Sequence, residues 1–290
     1  MKTRVSPKII LISISVIVGS TLLISFAVQQ GFTANEGYSY NGPPRAAILD
    51  QLHDDIPNKA FQEKATEYLQ EAGYEVDIFT TKQLDVSFYK TLPKMNYEFI
   101  VVRSHAIGSD GPDYFEEEPV SIFTGEKYAD DKYIQEQLFG QLGKGAPYQS
   151  SAIEVSVDLS GLGKSNSSKG NVIESSWSLL DTTNPYFLVG SKYVDELMEG
   201  RFPNSVIVLA GCSTISNPSL AKSFVNRGAS QVLGWDRLVG SDRNDRVTLA
   251  FLENFLVNDM EIDKAVELAN KKFDLDSETD PTFGYYDKSL

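Results

Sequence analysis

Two apolar runs in this chain end on residues able to do sulfur and proton chemistry. Residues 97–105 read Tyr-Glu-Phe-Ile-Val-Val-Arg-Ser-His, and residues 205–212 read Ser-Val-Ile-Val-Leu-Ala-Gly-Cys. Cys212 is the sole cysteine, and His105 is one of two histidines. A thiolate is the nucleophile in cysteine catalysis, and an imidazole beside it lowers the thiol pKa or delivers a proton to a leaving amine. Brought together, the pair would carry acyl transfer. The backbone N–H groups at Gly211 and Cys212, and one at Ala106, where each strand has just ended, are the expected oxyanion donors. The competing reading is a buried, inert thiol, because cysteine is among the residue types most often found in cores. His53, in a Gln-Leu-His-Asp-Asp turn, is the fallback base. No close ligand spacing gathers these side chains into a metal site, and no cofactor is expected.

The elements that must position such a pair are legible as strands and helices in alternation. Residues 46–49 form a short apolar strand candidate. Residues 58–72 then place Ala60, Phe61, Ala65, Tyr68, Leu69 and Ala72 at spacings of three and four, an amphipathic helix stopped by Gly73. Strands follow at 75–79 and 99–102, the latter lacking alternation as a central strand covered on both faces does. Strand, helix and strand joined by short links predict a parallel sheet with crossover connections, whose functional groups collect beyond the carboxyl ends of the strands. After a looser stretch with an acidic loop at 110–118, a helix around 128–139 and alternation at 153–159, order returns. A helix at 192–198, a strand at 206–210, a helix opened by Asn217-Pro218, a strand at 231–235 and helices at 245–257 and 262–273 complete the pattern. The residues after 273 read as an acidic, frayed tail.

The first 28 residues set the location. Lys2, Arg4 and Lys8 precede twenty uncharged residues, 9–28, the length an α-helix needs to span a bilayer of roughly 30 Å. The reading favoured is an uncleaved anchor with the basic end in the cytoplasm and everything beyond it outside. The alternative is a secretory signal cleaved near Ser25-Phe26-Ala27, which would release the domain. Residues 29–44 end in Gly-Pro-Pro and read as a linker. The whole chain carries a net charge of −14, and residues 1–28 hold no acidic side chain, so the body is more acidic still. Such a surface repels nucleic acid and anionic lipid. A lone cysteine outside the cytoplasm closes no internal disulfide, so the core must hold the fold. Gly163-Lys164-Ser165 lacks the leading glycine and strand of a phosphate loop, and Asn166-Ser167-Ser168 is a glycosylation sequon in a polar stretch.

Taken in order, these motifs resemble the caspase-like cysteine peptidase clan, which includes caspases, gingipains, clostripain and CHAT-type domains. The residues that carry the resemblance are Ser104-His105-Ala106 and Leu209-Ala210-Gly211-Cys212-Ser213-Thr214, each after an apolar strand. The helix with Leu220, Ala221, Phe224 and Val225, the strand Val232-Leu233-Gly234-Trp235 and the helices that follow are similar to CHAT-type domains in particular. The likeness covers residues 45–105 and 192–273, with residues 108–190 as an unmatched insertion, and Ala106 stands where the clan has glycine. It implies a three-layer α/β/α sandwich with a mostly parallel sheet over residues 45–273, Cys212 as nucleophile and His105 as general acid/base. Asp236, Asp242 and Asp245 follow the last strand, where the clan builds its primary specificity pocket; a carboxylate there would favour Arg or Lys in a peptide or protein substrate. The function expected is thus a membrane-anchored, extracytoplasmic cysteine endopeptidase. The alternative is an inactive binding or scaffold module of the same architecture.

Overall fold

A computed structural model of the chain describes residues 42–108, 120–145, 185–273 and 280–286. The expected membrane segment at 9–28, the acidic loop, the alternation at 153–159, the Gly-Lys-Ser triplet and the sequon lie outside the described residues. No helix among the described residues is long and apolar enough to cross a membrane.

The fold is mixed α/β around a six-stranded sheet in the order β10-β9-β8-β3-β1-β2. Its strands are β1 (Arg45–Asp50), β2 (Glu75–Thr80), β3 (Phe99–Arg103), β8 (Val206–Ala210), β9 (Gln231–Trp235) and β10 (Phe283–Tyr285). All neighbours are parallel except β10, which runs antiparallel to β9. Every residue of β3 is buried, which is why its run of Phe, Ile and Val shows no period of two.

Helices cover both faces, and the alternation of strand side chains sorts them. On one face Ala46, Ile48, Phe99, Val101, Val208 and Leu233 pack against α1 (Lys59–Glu71), α6 (Ser241–Leu252) and α7 (Ile262–Lys271). On the other, Ala47, Leu49, Ile100, Val102, Ile207, Leu209 and Val232 meet α2 (Val86–Thr91), α4 (Ser191–Glu196) and α5 (Ser219–Asn226). Asn58 caps α1 by accepting from the Phe61 N–H at 3.0 Å. Asn217 serves α5 from one residue further out than expected, its Oδ1 accepting the Ser219 N–H at 2.8 Å.

Two parts of the chain depart from the sequence reading. The stretch expected to be loose contains a second, antiparallel sheet in the order β4-β5-β7-β6, from β4 (Ala106–Ile107), β5 (Ser121–Lys127), β6 (Leu142–Gly145) and β7 (Tyr186–Gly190). The helix expected around 128–139 is only α3 (Ile134–Leu138), with Tyr133 left-handed at its start. The second departure is at the carboxyl end. Instead of a frayed tail throughout 274–290, residues 283–285 form β10, and Phe283 is fully buried against Trp235 and Phe251. The acidic composition concealed one aromatic anchor.

Candidate active site

The sheet turns direction in connectivity between β1 and β3: β2 is added on one side of β1, and the chain then returns to build β3, β8 and β9 on the other. Such a switch point leaves a crevice at the carboxyl ends of the strands. Gln51, His105 and Cys212 all lie just past those ends, on β1, β3 and β8.

His105 and Cys212 leave the sheet side by side. β3 and β8 pair in parallel with Arg103 opposite Ala210, so each candidate stands two residues beyond the same rung. That last rung is closed by the Ser104 N–H, which donates to Ala210 O at 3.2 Å. A Cβ on Gly211 would meet Ser104 O at 2.4 Å and Ala106 Cβ at 3.4 Å. Further along, a Cβ on Gly108 would meet Ser213 O and Ser216 Oγ, both at 2.8 Å. Gly211 and Gly108 therefore let the histidine segment lie directly along the cysteine turn.

The cysteine turn is tightly bound. Ser213, fully buried, holds a left-handed φ of 53°, a conformation rarely adopted by residues with a side chain and kept only where surroundings enforce it. Its N–H donates to Arg237 O at 2.9 Å and its carbonyl accepts from the Ser216 hydroxyl at 2.8 Å. Thr214 Oγ1 sits 3.0 Å from Leu209 O and accepts the Trp235 N–H at 3.0 Å, tying the turn to β8 and β9 at once. Cys212 is partly exposed, and its Sγ donates to Val239 O at 3.3 Å.

His105 is held at its backbone and its ring. Its N–H donates to Gln51 Oε1 at 3.0 Å, its carbonyl accepts from the Phe123 N–H at 3.0 Å, and its imidazole meets the Phe123 ring edge-on at a centroid distance of 5.7 Å. Burial lowers its pKa below the ordinary histidine value; Asp55 opposes that shift and the Arg103 guanidinium reinforces it. A neutral imidazole at neutral pH is the form that takes up a thiol proton.

The expected oxyanion donors divide. The Gly211 N–H is turned back to Leu209 O at 3.0 Å, so it does not stand open, and what Gly211 provides is its missing side chain. Ala106 pairs with Ile122 in the antiparallel ladder, and the bond from Phe123 N–H to His105 O makes that pair the non-hydrogen-bonded kind. The Ala106 N–H consequently points away from β5.

The three expected specificity carboxylates separate as well. Asp245 is buried in α6 and grips Arg103: Nε to Oδ1 is 2.7 Å and Nη2 to Oδ2 is 2.8 Å. It also accepts from Asn58 Nδ2 at 2.8 Å, and it offers no face to a substrate. Asp236 Oδ1 accepts the Thr282 N–H at 2.7 Å, anchoring β10 beside the Ser213 contact. Asp242 is exposed in the first turn of α6 and pairs with Arg246 at 3.0 Å.

Arg103 is the residue the sequence left without a role. It is fully buried, and its Nη1 reaches Asp50 Oδ1 at 2.8 Å while Nη2 also reaches Ile56 O at 3.0 Å. One guanidinium fork thereby joins β1, β3, α6 and the loop after β1 beneath the crevice. Asp50 and Asp245 are both engaged by it, so neither presents an open carboxylate to a cation. The available signal was a lone charge closing a fully apolar strand. His53, the fallback base, lies 3.1 Å from Gln62 Nε2 and 3.8 Å from Asp50 Oδ2, on the α1 side of the loop. No protein-family model matches this sequence, and no curated protein is significantly similar to it.

Proposed function

We propose that this chain is a cysteine endopeptidase with the three-layer α/β/α architecture of the caspase-like clan, anchored in the membrane by residues 9–28 with its domain outside the cytoplasm. The observation that carries the reading is the shared register of β3 and β8, which puts an imidazole and a thiol at adjacent strand tips beyond a topological switch point.

In the proposed reaction His105 accepts the Cys212 proton, and Sγ attacks the scissile carbonyl carbon to form a C–S bond. The charge that develops on the carbonyl oxygen faces the Ala106 N–H. The tetrahedral intermediate collapses with cleavage of the C–N bond, and His105 returns the proton to the departing amine. Water, deprotonated by His105, then hydrolyses the thioester and regenerates the thiol. With Asp245 engaged by Arg103, a preference for Arg or Lys rests on Asp236 and Asp242.

The test is cleavage of a peptide library that varies the residue on the acyl side of the scissile bond. Cys212→Ala and His105→Ala should each abolish cleavage; unchanged cleavage in either variant ends the proposal. Membrane attachment is tested by carbonate extraction of the full chain, which should stay with the pellet, whereas a chain starting at residue 42 should not.

One observation favours a second reading, an inert binding module. The thiol donates to Val239 O and the Gly211 N–H to Leu209 O, so both groups are occupied. Iodoacetamide at neutral pH separates the two readings: rapid labelling of native Cys212 supports the enzyme, and labelling only after denaturation supports the module.

A further inference from the structure

We infer that Gln51 is a positioning residue for His105, setting the backbone from which the imidazole reaches the cleft. The inference rests on the reading of His105 as the general acid/base, and it adds a residue from a third strand to that site.

The argument begins with where Gln51 stands. It is the first residue past β1, and β1 pairs in parallel with β3 so that Asp50 lies opposite Arg103. Gln51 therefore emerges at the same sheet edge as Ser104 and His105. Its side chain is fully buried, a position rare for a carboxamide unless its polar atoms are matched. Its oxygen is matched, by the His105 N–H at 3.0 Å. Its own carbonyl accepts from Thr81 Oγ1 at 2.9 Å, which fixes the residue from the other side.

The orientation of the carboxamide is forced. A backbone N–H only donates, so Oε1 must face His105, and a flipped amide would set two donors against each other. The remaining atom, Nε2, is buried and has no hydrogen-bond partner among the described residues. An unsatisfied buried donor is a standing cost that a leucine or methionine of similar volume would not carry. A purely structural position gives no reason to keep it. The His105 N–H does, because that group sits between the end of β3 and the start of β4, where no strand partner is available to it.

With Gln51 below and Phe123 accepted at the carbonyl and packed on the ring, the histidine is fixed from β1 and from β5 together. The charged groups around the imidazole are Asp55 on the loop after β1 and Arg103 on β3, with the Cys212 thiol presented by β8.

The experiment uses Gln51→Met and Gln51→Glu in the full-length protein, with two readouts. Iodoacetamide alkylation of Cys212 is followed as a function of pH, and His105 is observed by NMR after labelling, with a cooperative urea transition reporting that the fold is intact. Gln51→Met removes the acceptor, and alkylation at pH 7 should slow by about tenfold to a hundredfold, the scale of a misplaced catalytic group. The His105 signal should move while the cooperative urea transition is kept. Gln51→Glu restores an oxygen opposite the N–H and should recover most of the rate, with the alkylation profile and the His105 titration both moved to higher pH by the new carboxylate. A folded Gln51→Met with the parent profile and an unmoved His105 signal overturns the proposal. If Gln51→Met does not fold, an unshifted profile in Gln51→Glu overturns it equally. Failure of the protease reading looks different: His105→Ala would then leave alkylation unchanged, while the His105 signal in Gln51→Met would still decide whether Gln51 sets its position.

Discussion

The Ser104 N–H donates to Ala210 O at 3.2 Å, closing the last rung of the pairing between β3 and β8. That bond keeps the two strand tips together up to the residues of interest, and it is possible only because Gly211 has no side chain. A methyl group there would lie 2.4 Å from Ser104 O, a backbone atom that cannot swing aside. Gly211→Ala should therefore cost about 1–3 kcal/mol, the usual penalty of overpacking. It should also slow alkylation of Cys212, since the tips must part. Urea unfolding and iodoacetamide kinetics measure the two effects. A variant of parent stability and reactivity would show that the tips are not in contact.

His105 makes the stability of the protein depend on pH in a definable window. Burial lowers its folded pKa below the unfolded value of about 6.5, with Arg103 adding to the effect and Asp55 opposing it. Above that value both states carry a neutral imidazole and the residue adds no pH dependence. As pH falls from about 6.5 toward the folded value, the unfolded chain takes up a proton that the folded protein resists, and stability is lost. His105→Gln should flatten the decline between pH 7.5 and 5.5. The measurement is the difference in urea midpoints between parent and variant at the two pH values; parallel declines would refute it.

Asp245 and Asp242, three residues apart on α6, should behave in opposite ways. Removing the Asp245 carboxylate leaves the fully buried Arg103 with one of its two anionic partners, so Asp245→Ala should destabilise by about 3–5 kcal/mol. Asp242 is 83 % exposed, and Asp242→Ala should leave the guanidinium midpoint where it is. If Asp242 contributes to substrate choice, the same variant should weaken the preference for Arg or Lys. Cleavage of the peptide library with intact stability would reveal that.

These contrasts show which parts of the molecule the sequence made legible. The runs of β1, β3, β8 and β9 are continuous apolar stretches, and their ends could be read directly as the ends of parallel strands. The pairing of Arg103 with Asp245 spans 142 residues, and no local pattern announces such a contact. The expectation of a pocket carboxylate at Asp245 comes from the resemblance and its place after the last strand, whereas its contacts turn it onto Arg103 of the central strand β3. The antiparallel sheet was missed for another reason: β4 has two residues, β6 carries Gly143 and Gly145, and only Leu142 of β6 is buried. β4 and β6 are too short or too rich in glycine to show a period, although β7, a buried Tyr-Phe-Leu-Val run, is as apolar as β8. Gln51 escaped notice because a glutamine after a strand looks like an ordinary polar turn residue until its partner is known.

Phe283 ties the carboxyl-terminal strand to the candidate site, and its removal should be felt there. Its ring packs 5.6 Å from Trp235 and 5.5 Å from Phe251, with no exposed surface. Beside it the backbones of Asp236 and Thr282 are joined by the bond from Asp236 N–H to Thr282 O at 3.1 Å, while Asp236 Oδ1 accepts the Thr282 N–H at 2.7 Å. The next residue, Arg237, accepts the Ser213 N–H and so supports the turn that presents Cys212. Phe283→Ala should lose about 3–5 kcal/mol from the cavity alone. Because β10 holds the segment 235–239 in place, the same variant should relax the left-handed Ser213 and alter the alkylation rate of Cys212 under conditions where it is still folded. Phe283→Leu, which keeps most of the volume, should restore both. A Phe283→Ala protein as stable as the parent would mean that the strand is not docked, and one that is destabilised but labels Cys212 at the parent rate would sever the link between β10 and the cysteine turn.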